Sequence, residues 1–350
     1  MKASYKRHIL NFKRPSGTSR GILTQKETWF LVLEENGKFG IGECGLLQGL
    51  SVDDVQGYKD RLQWTCDHIS LGVEILYGEL KEFPSIQFGV EQAFASLKST
   101  NPFELFESSF TSGENTIPIN GLIWMGDASF MHEQIQQKLE EGFTCIKMKI
   151  GAIDFSKEIE LLESIRERYS KEDIELRVDA NGAFEPKEAL EKLQILSRHE
   201  LHSIEQPIKQ GQYLEMKRLC EESPLPIALD EELIGVFDIE EKKGLLRTVR
   251  PHYIILKPSL IGGIKGSEEW IALADEQDIG WWVTSALESN VGLNAIAQWT
   301  FTLNNQMPQG LGTGSLFTNN FECPLIVRKG QLGYEKDKHW ETNLIRNLCI

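Results

Sequence analysis

The chain has 350 residues, more than one hydrophobic core usually organises, with room for a barrel of roughly 200–250 residues beside a smaller domain. Its 41% hydrophobic and 25% charged content is ordinary for a globular protein, and a formal net charge of −15 argues against nucleic acid or an anionic membrane as partner. A small anionic substrate stays open, because a metal and a few lysines can reverse the sign inside one pocket.

Residues 1–12 mix charged and apolar side chains and do not read as a signal peptide. No later run approaches the roughly 20 apolar residues of a membrane helix. Residues 29–34 (WFLVLE) predict a strand, Asn36-Gly37 a hairpin turn, and residues 39–43 the returning strand. Residues 52–80 and 88–97 read as helical, and residues 16–20 and 46–50 as glycine-bearing loops. From residue 117 short β-branched runs alternate with helical patterns. The strand candidates are 117–123, 145–150, 176–179, 203–205, 227–230, 253–257, 281–285 and 311–314. Amphipathic stretches such as 155–169, 186–197, 239–246 and 267–277 lie between them. This alternation predicts an α/β fold with a parallel barrel. No G-x-G-x-x-G follows a strand to favour a doubly wound dinucleotide fold. The expected division is an α+β domain at 1–114, the barrel at 115–328, and a segment at 329–350 that packs back on the first domain.

The six cysteines, Cys44, Cys66, Cys145, Cys220, Cys323 and Cys349, form no C-x-x-C pair and no zinc-finger spacing with histidine. They predict reduced, mostly buried thiols in a cytoplasmic protein.

Three strand candidates end in a carboxylate: RVDANG, SIEQP and ALDEE, with Asp179, Glu205 and Asp230 spaced by 26 and 25 residues. That is one βα unit each time, so three consecutive strands present an acid at the C-terminal mouth of the barrel, where catalytic groups sit. Converging carboxylates repel and raise one another's pKa. A hard divalent cation removes that cost, and oxygen-only ligation favours Mg²⁺ over Zn²⁺.

Lysines flank this set. Lys147 and Lys149 alternate onto one face of the preceding strand, and Lys257 ends the following one, 30 and 27 residues from the nearest acid. An unpaired ammonium is poor core material. Close to a cation and a second ammonium, a lysine's pKa should fall, and such a lysine can serve as a general base. A carbanion beside a carboxylate needs cationic stabilisation, which a metal supplies. The pattern points to proton abstraction α to a carboxylate.

K-M-K, V-D-A-N, I-E-Q-P, L-D-E and L-K-P in this order resemble the enolase superfamily, and the lysine pair resembles its muconate-lactonising subgroup. Within it, RVDANG, TSALES (residues 284–289) and GLGTGSLF (residues 310–317) are most similar to the o-succinylbenzoate synthases. The resemblance implies a modified (β/α)7β TIM-type barrel with an α+β N-terminal capping domain completed by the C-terminal segment. It implies Mg²⁺, or Mn²⁺ in its place, on Asp179, Glu205 and Asp230. The implied reaction is syn-dehydration of 2-succinyl-6-hydroxy-2,4-cyclohexadiene-1-carboxylate to 2-succinylbenzoate in menaquinone biosynthesis, through a metal-stabilised enediolate. Lys149 would abstract the α-proton and return a proton to the departing hydroxyl, while Lys257 would stay cationic on the opposite face. Lys147 would help lower the pKa of Lys149, and Arg177, Asn181 and Glu231 would order the metal site. Ser285, Gly312 and Thr313 would contact the succinyl arm or a carboxylate. Loops at residues 16–23 and 46–51 would close the pocket, with Arg20 meeting a carboxylate.

The same lysine pair serves dipeptide epimerases and N-succinylamino-acid racemases of the subgroup. An epimerase of this subgroup places a D-x-D pair on the eighth strand to hold an ammonium. Here that position reads Gly312-Thr313-Gly314, with no acid, which disfavours the epimerase and leaves the racemase open, both being enzymatic alternatives of the same subgroup. A non-catalytic barrel used for binding is the alternative from another class. Oligomeric state is not readable from the sequence.

Overall fold

The structure, a computed structural model, describes residues 1–18, 21–341 and 343–348. It opens with an antiparallel sheet of β1 (Lys2–Thr18), β2 (Gly21–Glu35) and β3 (Lys38–Cys44), in that order. The expected hairpin turn joins β2 to β3. Asn36 and Gly37 both take left-handed backbone conformations, with φ of 51° and 77°, as a two-residue turn between twisted strands requires. Sequence reading missed β1 and placed a loop over its end. Residues 16–18 instead continue a strand whose ladder partner is β2 and whose other edge bonds to residues 316–319 along its middle, and its lysines and arginines blur the apolar alternation.

Within WFLVLE, residues 29–33 are all apolar because this part of β2 is buried on both faces. Trp29, Leu31 and Leu33 pack against the helices Tyr58–Asp67, Val73–Glu79 and Pro84–Lys98. Phe30 and Val32 face Val291 and Phe321 from the barrel side and Leu344, Ile345 and Leu348 from the last helix, Leu344–Leu348. The helical stretch expected at 52–80 is thus two helices separated by a 3₁₀ turn and Gly72, whose φ is 82°. The approach of β3 to the helix Pro84–Lys98 depends on glycine, since a Cβ on Gly42 would lie 1.9 Å from the Gly89 carbonyl oxygen.

The remaining chain winds a parallel sheet of seven strands in sequence order. They are β5 (Gly121–Ile123), β6 (Cys145–Lys149), β7 (Glu175–Asp179), β8 (Ser203–Glu205), β9 (Ile227–Leu229), β10 (Tyr253–Leu256) and β11 (Gly280–Val283). The helices Ala128–Glu140, Phe155–Arg166, Pro186–Leu196, Tyr213–Glu222, Ile239–Val249 and Gly263–Asp275 alternate with them. Asp127, Asp154 and Asp238 cap three of these helices by accepting first-turn backbone N–H groups. The helix Asn290–Thr302 comes after β11. It is buried almost all round, so no amphipathic stripe marks it in the sequence.

Two expected strands differ. The stretch 117–123 breaks at Ile119-Asn120 into β4 (Ile117–Pro118) and β5. β4 leaves the barrel sheet and pairs with β13 (Gln331–Tyr334) of a hairpin begun by β12 (Leu325–Arg328). The eighth strand expected at 311–314 is displaced. Gln309 and Gly310 take its place, bonded through Gln309 N to Pro118 O and Asn120 N to Gln309 O on one side. On the other side Gly310 N bonds to Val283 O and Ser285 N to Gly310 O, which closes the ring. The glycines at 310, 312 and 314 fit close approach rather than a regular ladder; a Cβ on Gly310 would fall 2.4 Å from Thr284 Oγ1. The result is a modified (β/α)7β barrel with a capping sheet. Among the described residues no helix is long and apolar enough to cross a membrane, and Cys44, Cys66, Cys145 and Cys220 are buried free thiols, with Cys323 part-exposed. Cys349 lies outside the described residues.

Candidate active site

Parallel register sets the site. Lys149 stands opposite Asp179, and Asp179 opposite Glu205, so one rung across β6, β7 and β8 carries a base and two acids. Asp230 and Lys257 directly follow the last residues of β9 and β10 at the same mouth. Lys147 is two residues before Lys149 and shares its face.

The side chains meet as ion pairs. The Lys149 ammonium donates to Asp179 Oδ2 at 2.9 Å and to Asn181 Oδ1 at 2.6 Å. Lys147 lies 3.0 Å from the same Asp179 oxygen and bonds to Glu205, and Lys257 bonds to Asp230. Asn181 ties two parts together. Its backbone N–H donates to Asp179 Oδ1 at 3.0 Å and its amide donates to Glu231 Oε1 at 3.1 Å. Its own backbone is left-handed, with φ of 43°, a conformation asparagine tolerates better than most residues.

Charge is unevenly settled. Burial pushes Asp179 up, but Lys147, Lys149 and Lys257 outweigh it and hold this carboxyl well below the usual range. Glu205 is pushed up to about 8, by burial first and then by the charges of Asp179 and Asp230, against which Lys147 does not prevail. For Lys147, burial lowers the pKa but Asp179 and Glu205 raise it further. Lys257 is likewise lowered by burial and raised more by Asp230 and Glu205. Both ammoniums are held charged by the carboxylates beside them. Lys147 and Lys149 share the Asp179 Oδ2 oxygen, which puts a second ammonium beside Lys149.

The donor set fits a hard cation. Glu205 Oε1 is buried with no hydrogen-bond partner, and the raised pKa of Glu205 marks a carboxylate that Lys147 and Lys257 do not by themselves hold ionised. The oxygens sit on separate strands with ammoniums between them, and the described residues hold no group of three His, Cys, Asp or Glu drawn together as a ligand set.

A cavity of about 670 Å³ opens above these groups, reached by Lys147, Lys149, Asp179, Asn181 and Lys257. Leu47, Gln48, Gly49 and Leu50 border it from the capping domain, as do Ser16 and Leu23, so both segments expected to close the pocket reach it. Ser16 and Leu23 do so from near the adjoining ends of β1 and β2. Arg20 lies outside the described residues.

Other expectations are corrected. Arg177 makes no hydrogen bond to Asp179, Glu205 or Asp230. It is buried below, donating to Glu175 at 2.7 Å and to Pro308 O at 2.9 Å, with its guanidinium 4.2 Å from the Trp282 ring centre. Ser285 and Thr313 border the cavity, but their hydroxyls are engaged. Thr313 donates to Ser285 at 2.9 Å, and Ser285 donates to Glu288 Oε2 at 2.6 Å. Gly312 borders the same cavity. Sequence reasoning missed Asn120, a buried carboxamide at the cavity edge whose Oδ1 has no partner. It also missed Trp124 and Phe130, which border the same space. No spacing rule marks these residues, since they stand at a break between strands and at the start of the following helix.

Residues 131–335 match the enolase C-terminal domain-like family model. The chain is 49% identical to the o-succinylbenzoate synthase of Desulfotalea psychrophila strain LSv54, over 95% of this chain and 99% of that one. The chain belongs to the o-succinylbenzoate synthase family of the enolase superfamily. The crystal structure of MenC from the same organism superimposes with a TM-score of 0.85 at 46% identity, covering 95% of this chain and 99% of that one. An L-Ala-D/L-Glu epimerase of Francisella tularensis subsp. novicida is more distant, at 25% identity over 76% of each chain.

Proposed function

We propose that this chain is an o-succinylbenzoate synthase, a hydro-lyase that converts 2-succinyl-6-hydroxy-2,4-cyclohexadiene-1-carboxylate to 2-succinylbenzoate and water in the cytoplasm, as a step of menaquinone biosynthesis. The observation that carries the reading is one cavity reached by two ammoniums, Lys149 and Lys257, from strands on either side of three acidic strand ends. The 49% identity to a named synthase points to the substrate.

Asp179, Glu205 and Asp230 would hold Mg²⁺, with Mn²⁺ as a substitute. When bound, the ion supplies a Lewis-acidic partner for the substrate carboxylate and offsets charge that develops there. Asp179 and Asn181 hold the Lys149 nitrogen in place, so its lone pair, once free of a proton, is aimed rather than mobile. Lys149 takes the α-proton, the ring electrons expel the hydroxyl, and the same nitrogen returns a proton to that hydroxyl, which leaves as water. One base serving both steps makes the elimination syn. Lys257, kept charged by Asp230, faces the developing enediolate from the other side. Glu231 and Asn181 brace the acids. Arg177 holds the barrel floor.

The direct test is incubation of the purified protein and Mg²⁺ with the cyclohexadiene substrate, following loss of its ultraviolet absorbance. Turnover is expected. Racemisation of N-succinylamino acids without dehydration would replace this reading with the racemase. A ligand role for Glu205 predicts that Glu205→Gln weakens Mg²⁺ binding at least tenfold by calorimetry, since one of three charged donors is lost. An unchanged affinity removes it from the set.

A further inference from the structure

Lys26 is a charged residue buried where the capping sheet meets the barrel, at 3% exposure. It lies on the face of β2 that carries Thr28, Phe30 and Val32 toward the barrel. Its ammonium donates to the backbone carbonyls of Ala286 at 3.0 Å and Leu287 at 2.9 Å. Those two residues border the substrate cavity, in the turn after β11. Leu287 is strained there. Its φ is 65°, in the left-handed region that a bulky side chain seldom adopts. Two hydrogen bonds clamp it: the Ser285 hydroxyl accepts from the Leu287 N–H at 3.0 Å, and Lys26 takes the carbonyl. A second tie lies close by. Glu43 of β3 accepts from Ser289 N at 2.9 Å, Ser289 Oγ at 2.5 Å and Gly292 N at 2.9 Å, fixing the start of the helix Asn290–Thr302. Glu43 thus anchors the helix beyond the turn, and Lys26 is left to shape the turn itself. Burial lowers the Lys26 pKa, and the charges of Glu288 and Glu43 oppose this.

We propose that Lys26 is a positioning residue: it reaches from the capping domain to hold Leu287 in its left-handed conformation, and so sets the wall of the substrate cavity formed by Ala286 and Leu287. A capping-domain residue that never touches substrate would then tune substrate binding. This deepens the synthase reading and rests on the same cavity being the substrate site.

The test is a double-mutant cycle on dehydration kinetics, using Lys26→Met, Leu287→Gly and the pair, with thermal melting recorded for each. Glycine adopts positive φ without strain, so a Leu287→Gly turn does not need the clamp. Lys26→Met alone is expected to raise KM about tenfold with kcat little changed, because the wall binds ground and transition states alike. In the Leu287→Gly background the same substitution is expected to change KM less than twofold. An equal KM rise in both backgrounds overturns the proposal. So does a loss confined to melting temperature and active fraction at constant KM, or a Lys26→Met protein that unfolds in both backgrounds, since each makes the lysine a stability residue only. A wild-type protein that fails to dehydrate the substrate overturns the synthase reading instead, so the two failures are told apart.

Discussion

Lys149→Ala is expected to lower dehydration by at least about a thousandfold while leaving the fold and Mg²⁺ binding in place. Positioned general bases contribute on the order of 10²–10⁴, and here one nitrogen would serve two proton transfers, so both are lost together. The fold should survive because Lys147 still pairs with Asp179 and Glu205 once Lys149 is gone. Mg²⁺ affinity should hold or rise, since an ammonium that competes for Asp179 has been removed. Rate, calorimetry and exchange of the substrate α-proton in deuterated water measure the three claims separately. A variant that dehydrates near the wild-type rate overturns the base assignment. One that exchanges the α-proton yet fails to dehydrate would move the base elsewhere and leave Lys149 only the second transfer.

Lys257→Ala is expected to reduce kcat by about 10²–10³, the usual range for removing one preorganised electrostatic partner of a developing charge. Its removal leaves Asp230 without its ion-pair partner at 2% exposure, which would destabilise the fold if nothing else compensated. A bound divalent cation compensates, so the variant's melting temperature should depend on Mg²⁺ more steeply than the wild type's. Exchange of the substrate α-proton should slow together with turnover, since it too passes through the enediolate that Lys257 stabilises. A folded variant with wild-type turnover overturns the assignment.

The charged core of the site was legible because parallel strands keep register. When acids recur at about one βα unit, the ladder that pairs Lys149 with Asp179 and Asp179 with Glu205 has to bring them to one rung. The hairpin at Asn36-Gly37 was legible for a similar reason, since the turn chemistry is local. Arg177 was misjudged because strand alternation fixes the face a residue shares but not how far down the barrel its side chain is drawn. Lys147 on the same rung extends to Asp179 and Glu205, whereas Arg177 turns the other way to Glu175, Pro308 and Trp282. Lys26 was silent for a different reason. A lysine on a strand reads as solvent-facing until the sheet's second face is known to be covered, and its cover lies 260 residues away in sequence. Tertiary burial of this kind leaves no local trace.

The two residues that close the barrel have a consequence for solubility. A seven-stranded open sheet would expose the hydrogen-bonding edges of β5 and β11, each a template for pairing with another chain. Gln309 and Gly310 occupy the seam. Beyond their backbone bonds, the Gln309 side chain accepts from Val283 N at 2.7 Å and donates to Met307 O at 2.6 Å. So short a strip lets the chain turn away at once into the glycine-rich segment that borders the cavity. The seam therefore guards against edge-to-edge aggregation with very little backbone, and leaves the rest of that arc free to be shaped for the substrate.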